Sequence, residues 1–228
     1  MQNLTLGKTP VCVFDAYGTL FDISSVARGA QDILGPNWEA FSETWRTKQL
    51  QYTWLRSLMD QHVDFWQVTK EALDFTMAST GIGDADAHQQ LMHLYLSISA
   101  YPEVLKTLSQ LRTQGVRLAI LSNGSPTMLE AATSNAGIGT LFEAVLSVEQ
   151  AGVYKPHPSV YQLVVDEMRI PKEQVCFMSS NSWDAWAAKA FGFKVLWCNR
   201  FGQAPEQLPW APDGQITDLS CLPEMIVV

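Results

Sequence analysis

Residues able to do chemistry follow several strand-like runs of this chain. Asp15 comes directly after the apolar run Val11 to Phe14, which is typical of a buried strand. A buried strand cannot hold an unpaired charge cheaply, so Asp15 is expected to emerge into a polar pocket as a nucleophile. Later segments add a hydroxyl and amide pair, a lysine before a proline and an acidic residue that opens a helix: Ser122 with Asn123, Lys155, and Asp184. Because ligands of open α/β sheets bind at the carboxyl ends of the strands, these groups are expected to share one crevice.

Each of these candidates also has a purely structural explanation. Asp15, three residues before a turn glycine, would then only bind its own backbone in a turn. Lys155 would be a solvated surface lysine, and Asp184 would cap a helix that begins near Ser182. Arg46, beside Trp45 in an aromatic helix, is costly to bury unless it meets an anion, but its head group would otherwise extend to water. Convergence of the four segments favours a site.

The chain between these segments predicts an α/β protein. After residue 100 helices alternate with strands, which indicates a doubly wound (Rossmann-like) parallel sheet. We predict a core domain from residues 1–23 and 100–228 and an inserted helical cap subdomain from residues 24–99. The predicted strands are 11–14, 117–121, 144–147, 175–178 and 194–197, and the tail after Arg200 is predicted to be irregular.

Capping residues and helix breakers divide the cap into four predicted helices. They run from a cap at Ser24 and Ser25 to Leu34, from Asn37 through Leu58, from Asp64 through Met77, and from Asp84 toward Ile98. The cap is rich in large rings, most of which are expected to pack between helices while a minority line a cleft.

Composition narrows the possible partners. The 228 residues carry a net charge of −8, which argues against nucleic acid and anionic membranes. No run approaches the roughly 18 apolar residues of a membrane helix, and Met1 to Pro10 lacks the apolar core of a secretion signal, so a cytoplasmic protein is expected. The four widely spaced cysteines are interpreted as buried thiols: Cys12, Cys176, Cys198 and Cys221.

The motifs from Asp15 to Leu20, Ser122-Asn123, Lys155-Pro156 and Asp184 resemble those of the haloacid dehalogenase superfamily. Most members of that superfamily are phosphatases, whose second aspartate, two residues after the nucleophile, acts as a general acid. This chain has Tyr17 there. Tyr17, Trp45-Arg46 and the run from Ser179 to Asp184 are similar to the L-2-haloacid dehalogenases themselves.

This resemblance implies a set of site residues. The catalytic residues would be Asp15, Thr19, Arg46, Lys155, Ser179, Asn181 and Asp184. The residues that bind substrate would be Ala16, Tyr17, Arg46, Leu50, Phe65, Ser122, Asn123, Tyr161 and Trp183. The resemblance also predicts glutamine at position 47, where this chain has Thr47.

The implied reaction converts a short L-2-haloalkanoic acid and water to a D-2-hydroxyacid and halide. Asp15 would attack the α-carbon and form an ester, and a water activated by Asp184 would hydrolyse it. Halide leaves without a proton, so Tyr17 can stand where the phosphatases have their acid. No metal or other cofactor is expected, and a homodimer is implied. The alternatives are a magnesium-dependent phosphatase or phosphonatase on the same scaffold and, less favoured, a non-catalytic binding protein.

Overall fold

The computed structural model describes residues 8–227, and its centre is a six-stranded sheet. The strands are β1 Val11–Phe14, β2 Arg117–Ser122, β3 Ala144–Ser147, β4 Val175–Ser179, β5 Lys194–Cys198 and β6 Gly214–Ile216. Their order across the sheet is β3-β2-β1-β4-β5-β6, and every neighbouring pair is parallel. The predicted α/β fold with a doubly wound parallel sheet is confirmed.

The position of β1 in this order creates the crevice. β1 is completely buried and lies between β2 and β4, with Phe14 opposite both Ile120 and Met178. The chain leaves β1 toward one edge of the sheet through β2 and β3, and later returns to the other edge through β4 and β5. This is the topological switch point of such sheets, where ligands bind at the carboxyl ends of the strands. Asp15, the first residue after β1, therefore lies at the centre of the expected binding crevice.

Helices complete the chain. Four lie between β1 and β2 in sequence: α1 Ile23–Leu34, α2 Trp38–Leu58, α3 Phe65–Thr80 and α4 Ala85–Leu96. The others are α5 Val104–Thr113, α6 Pro126–Asn135, α7 Pro158–Met168, α8 Ser182–Phe191 and α9 Leu222–Met225. No helix in residues 8–227 is long and apolar enough to cross a membrane.

The N-cap residues of α2, α3 and α4 are those predicted from the sequence, but the N-cap of α1 is not. Asp64 and Asp84 are N-caps, since their carboxylates accept hydrogen bonds from the backbone of Gln67 and Ala87. The prediction that Ser24 and Ser25 cap α1 is wrong. Asp22 is the N-cap, because its extended backbone turns the carboxylate onto the Ser24 amide at 2.9 Å.

The tail after Arg200 is the main error of the strand prediction. The segment Gly214–Ile216 forms β6, and Leu222–Met225 forms a short helix. β6 has no apolar run of its own and exists because it pairs with the edge of β5, where Trp197 lies opposite Gln215. The predicted core domain includes residues 1–7 and 228, which lie outside the described residues. The prediction that Met1 to Pro10 is not a secretion signal also falls largely on those residues.

The cysteine prediction holds for three of the four residues. Cys12, Cys176 and Cys198 are buried free thiols within strands, and burial contributes to the raised pKa of each of Cys12 and Cys198. Cys221 is only partly buried, because it precedes the short surface helix α9 rather than lying in a strand. The thiols of β1 and β4 face each other in register and act as packing groups.

Candidate active site

Three side chains hold the Asp15 carboxylate just beyond the end of β1. Thr19 donates its hydroxyl to Oδ2 at 3.0 Å, and the Asn181 amide donates to the same oxygen at 2.9 Å. Lys155 Nζ donates to Oδ1 at 3.1 Å. Thr19 is itself fixed, because its hydroxyl accepts the backbone N–H of Ser180 at 2.8 Å. Both oxygens of Asp15 are therefore oriented by groups from separate parts of the sheet.

Lys155 joins the two acidic residues of the site. Its ammonium lies 3.1 Å from Asp15 Oδ1 and 2.9 Å from Asp184 Oδ2, and all three side chains are almost completely buried. The Asn123 side-chain oxygen accepts the Lys155 backbone N–H at 3.1 Å, and the following peptide bond to Pro156 is cis. The alternative of a solvated surface lysine is wrong, since the fold places this charge between two carboxylates.

Burial and charge act together on these groups. Burial opposes the charged ammonium, but the nearby Asp15 and Asp184 carboxylates outweigh it and raise the pKa of Lys155. Burial also raises the pKa of Asp184, and the Lys155 charge counteracts this only in part. Asp184 is consequently a stronger base than an aspartate in water. The Lys155 ammonium compensates the negative charge of the two buried carboxylates.

Asp184 occupies the third position of α8, where its carboxylate faces the sheet. Its second oxygen, Oδ1, accepts the Tyr161 hydroxyl at 2.7 Å. The structure does not support the alternative that Asp184 caps this helix, because the N-cap is Asn181 and the Asp184 carboxylate accepts from Lys155 and Tyr161. The backbone of Asn181 is positioned in turn, since its N–H donates to Ser179 Oγ at 3.2 Å.

Arg46 reaches the site from α2 and meets Asn181 there. Its Nη2 lies 3.4 Å from Asn181 Oδ1, and its Nη1 donates to Gln49 Oε1 at 2.6 Å. The surface alternative is therefore wrong for this side chain as well. Thr47, in contrast, is exposed on the same helix and lines neither cavity of the crevice.

Aromatic rings form one wall of the crevice. The Tyr17 ring packs against Phe65, Phe21 and Tyr95 with ring centroids 6.1 to 6.2 Å apart. Burial raises the pKa of the Tyr17 phenol, so it stays neutral. Position 124 must be glycine, because a Cβ there would lie 2.8 Å from the Tyr17 ring. Tyr17 is thus a neutral ring packed among other rings, at the position where the phosphatase motif has its second aspartate.

Most of the predicted site residues line one small inner cavity. Its volume is about 10 Å³, which is room for roughly one water molecule. The lining consists of Asp15, Tyr17, Arg46, Leu50, Phe65, Ser122, Asn123, Lys155, Asn181 and Trp183. Thr19, Ser179 and Asp184 each contact one of these residues from outside the cavity, and Tyr161 contacts Asp184. Ala16 is buried in the turn after β1.

A second, larger cavity adjoins the first on the solvent side. Its volume is about 910 Å³, and it shares Arg46, Leu50, Asn181 and Trp183 with the inner cavity. The Trp183 ring packs edge-on against Trp54 of α2, with centroids 5.5 Å apart. These shared side chains therefore separate the inner site from an open vestibule.

Polar contacts join the inserted helices to the core beside Lys155. Glu149 accepts the ring N–H of His62 at 2.7 Å and the backbone N–H of Phe65 at 3.3 Å. The buried Tyr154 hydroxyl donates to the Val63 carbonyl at 2.6 Å. The segment that ends at Lys155 thus also fixes the start of α3, which carries Phe65.

Sequence reasoning missed Gln49 and Tyr95 as members of the site. Gln49 is buried beneath Arg46, and the Tyr95 hydroxyl lies 3.5 Å from its side-chain oxygen. A signal for Gln49 was present, since Phe41, Trp45, Gln49 and Thr53 recur every four residues and all are buried in α2. A glutamine in that stripe requires partners.

The described part of the chain offers no cluster of three or more His, Cys, Asp or Glu side chains arranged to hold a metal ion. Asp15 and Asp184 are the acidic pair of the site, and the Lys155 ammonium lies between them within 3.1 Å of each.

Comparison with known proteins agrees with this geometry. The family model of haloacid dehalogenase-like hydrolases matches residues 9–192. The (S)-2-haloacid dehalogenase of Pseudomonas sp. strain YL is 41% identical over 213 residues, which cover 93% of this chain and 92% of that protein.

Solved structures give the same result. An L-2-haloacid dehalogenase superposes with a TM-score of 0.94 at 41% identity, covering 96% of this chain and 99% of that one. The enzyme from Xanthobacter autotrophicus, with chloropropionic acid covalently bound, gives 0.87 at 37% identity, covering 95% and 97%. The chain therefore belongs to the haloacid dehalogenase-like hydrolase family, together with the (S)-2-haloacid dehalogenases.

Proposed function

We propose that this chain hydrolyses short L-2-haloacids to D-2-hydroxyacids and halide. One observation carries the proposal: the buried Asp15 carboxylate is oriented by Thr19, Asn181 and Lys155, and Tyr17 stands where a phosphatase would have its acid. The named relatives and the structure with covalently bound chloropropionic acid support it. The chain is accordingly a hydrolase that acts on carbon–halide bonds.

The first half-reaction is a displacement by Asp15. An oxygen of its carboxylate attacks the α-carbon from the side opposite the halogen, the carbon–halogen bond breaks, and halide leaves with the bonding electron pair. The product is an ester of Asp15 with inverted configuration at the α-carbon. Arg46 and Asn123 are the donors next to the leaving halide, while Ser122, Asn123 and the backbone N–H groups of Ala16 and Tyr17 bind the substrate carboxylate.

The second half-reaction returns Asp15 to its starting state. Water adds to the carbonyl carbon of the ester while Asp184 takes a proton from it. The acyl carbon–oxygen bond then breaks, the departing alkoxide takes that proton from Asp184 to give the hydroxyacid, and Asp15 loses the second proton of the water to solvent. Asp184 suits this role, because burial raises its pKa while Lys155 and Tyr161 hold its orientation. Thr19 is placed to stabilise the tetrahedral intermediate through its hydroxyl.

The proposed reaction does not use a metal. The Lys155 ammonium lies within 3.1 Å of both carboxylates and supplies the positive charge that Mg²⁺ supplies in related phosphatases. Any cation bound by both carboxylates would have to displace this buried amine. Halide release in excess chelator is the relevant measurement, and loss of activity there would contradict a metal-independent mechanism.

The proposed function is tested with each enantiomer of 2-chloropropionate in excess EDTA. We expect chloride from the L enantiomer alone, with D-lactate as the product. Hydrolysis of p-nitrophenyl phosphate with Mg²⁺ is measured in parallel. Phosphate release without halide release would show that the chain is a phosphatase, and the absence of both would favour a binding protein.

The raised pKa of Asp184 predicts a pH dependence of ester hydrolysis. The base must be ionised, so the rate should fall as the pH falls through that pKa, which lies above 3.8, the ordinary value for an aspartate. Steady-state halide release is measured from pH 8 downward, with near-ultraviolet circular dichroism as a check on folding. A rate that stays constant down to pH 3.8 in folded protein would exclude Asp184 as the base.

Residues 24–99 are assigned in this proposal as a cap over the core formed by residues 1–23 and 100–228, in the cytoplasm. The exposed side chains Leu55, Leu58 and Met59 at the end of α2 support a homodimer formed through the cap. Light scattering should give twice the chain mass of 25.4 kDa. Leu58→Glu should give a monomer, whereas Leu105→Glu, an exposed leucine of α5, should not. A monomeric unsubstituted chain would refute this arrangement.

A further inference from the structure

We propose that Gln49 is a positioning residue that fixes the Arg46 guanidinium and thereby tunes the response of the enzyme to the leaving halide. The inference rests on the proposed function, because it assigns Arg46 to the departing halide. Gln49 contacts neither Asp15 nor the inner cavity, and the lining residue to which it bonds directly is Arg46.

The contacts of Gln49 use both ends of its amide. Its Oε1 accepts Arg46 Nη1 at 2.6 Å, and its Nε2 donates to Thr69 Oγ1 at 2.7 Å. The Thr69 hydroxyl in turn donates a hydrogen bond to the Phe65 carbonyl at 2.6 Å. One buried chain of hydrogen bonds therefore joins Arg46 of α2 to Phe65 of α3, and both of these residues line the inner cavity.

An amide is the group that this position requires. Gln49 is completely buried in the stripe that α2 turns toward α3 and α4, where an unpaired polar group is costly. The guanidinium needs an acceptor and Thr69 needs a donor at the same place. Glutamate would lack the donor and would partly neutralise the Arg46 charge, while an apolar side chain would supply neither group.

The cap holds Arg46 more firmly than the core does. The distance from Arg46 to Gln49 is 2.6 Å, whereas the distance to Asn181 in the core is 3.4 Å. The network from Gln49 to Phe65 lies entirely within the inserted helices, so it orients the guanidinium independently of contacts made by the substrate. A guanidinium that is already oriented stabilises the negative charge that develops on the departing halide more effectively than one that must first reorient.

This arrangement predicts an effect on halide selectivity. Chloride is a poorer leaving group than bromide, so breaking the carbon–chlorine bond depends more strongly on a well-placed Arg46. If Gln49 is replaced, the Arg46 guanidinium is no longer held in one orientation. The rate of halide release should then fall more for chloride substrates than for bromide substrates. A general loss of structure would slow both substrates equally.

The test compares Gln49→Met with Gln51→Met in single-turnover halide release from L-2-chloropropionate and L-2-bromopropionate. Gln51 is exposed on the same helix and contacts Lys48, so it is the matched control. Gln49→Met should lose about 10- to 100-fold with the chloride substrate, as is typical when the partner of a site residue is removed. The loss with bromide should be several-fold smaller, and Gln51→Met should resemble the unsubstituted enzyme.

Equal losses for both halides, or no loss, would overturn the proposal. Because a buried substitution can impair folding, Thr69→Val and Thr69→Ser provide a second test. Valine removes the hydroxyl bonded to Gln49 and should shift selectivity in the same direction, whereas serine keeps the hydroxyl and should restore it. If the unsubstituted chain releases neither halide, the proposed function itself fails, which is a separate outcome.

Discussion

Asp15→Asn is expected to abolish halide release, with a loss of about 10⁴-fold or more, the scale seen when a nucleophile is removed. An amide has no oxygen nucleophilic enough to displace halide from carbon, so no ester forms. The substitution preserves the size of the side chain and its place beside Thr19 and Lys155. Lys155 also keeps Asp184 as a charged partner, which favours a folded variant.

The measurement is chloride release from L-2-chloropropionate, with a thermal melt to establish folding. Asp166→Asn is the matched control, since Asp166 is exposed in α7 and contacts Gln162, which is not a site residue. Binding of the substrate to Asp15→Asn, followed by Trp fluorescence, should persist. A folded variant that keeps more than a small fraction of its turnover would exclude Asp15 as the nucleophile.

Asp184→Asn is expected to separate the two half-reactions. Asp15 is still oriented by Thr19, Asn181 and Lys155, so displacement of the halide should continue. Hydrolysis of the ester should slow by about 10² to 10⁴-fold, the range typical of a general base. The variant should release about one halide per active site in a burst and then continue only at the slowed rate of ester hydrolysis, with the substrate's α-carbon still bonded to the Asp15 carboxylate.

Mass spectrometry of the acid-quenched variant tests this directly. The protein should carry one propionate group, located on the peptide that contains Asp15, whereas the unsubstituted enzyme and Asp166→Asn should accumulate little of it. A normal steady state would show that Asp184 is not the base. A folded variant with no burst would show that Asp184 acts in the displacement, through Lys155.

The sequence predicted the strands well because each is a short apolar run with clear local boundaries. β1 and β3 have the predicted bounds, and β2, β4 and β5 extend only one residue further. Its errors share one cause. β6 depends on pairing with β5, and the cap of α1 depends on the backbone direction at Asp22. Local composition does not contain that information.

The sequence by itself also determined which residue types meet in the crevice. Asp15, Lys155 and Asp184 each stand beside a recognisable strand or turn, and parallel strands bring their carboxyl ends together. The replacement of an acidic residue by Tyr17 could be seen without coordinates.

Only the tertiary structure decided how these groups share charge and hydrogen bonds. It placed Lys155 Nζ between two carboxylates, left an inner cavity of about 10 Å³, and brought Arg46 within 3.4 Å of Asn181. Each of these features depends on how strands far apart in sequence pair and on how α2 lies against the core. A distance between side chains that are more than a hundred residues apart is set by that packing, and no local pattern encodes it.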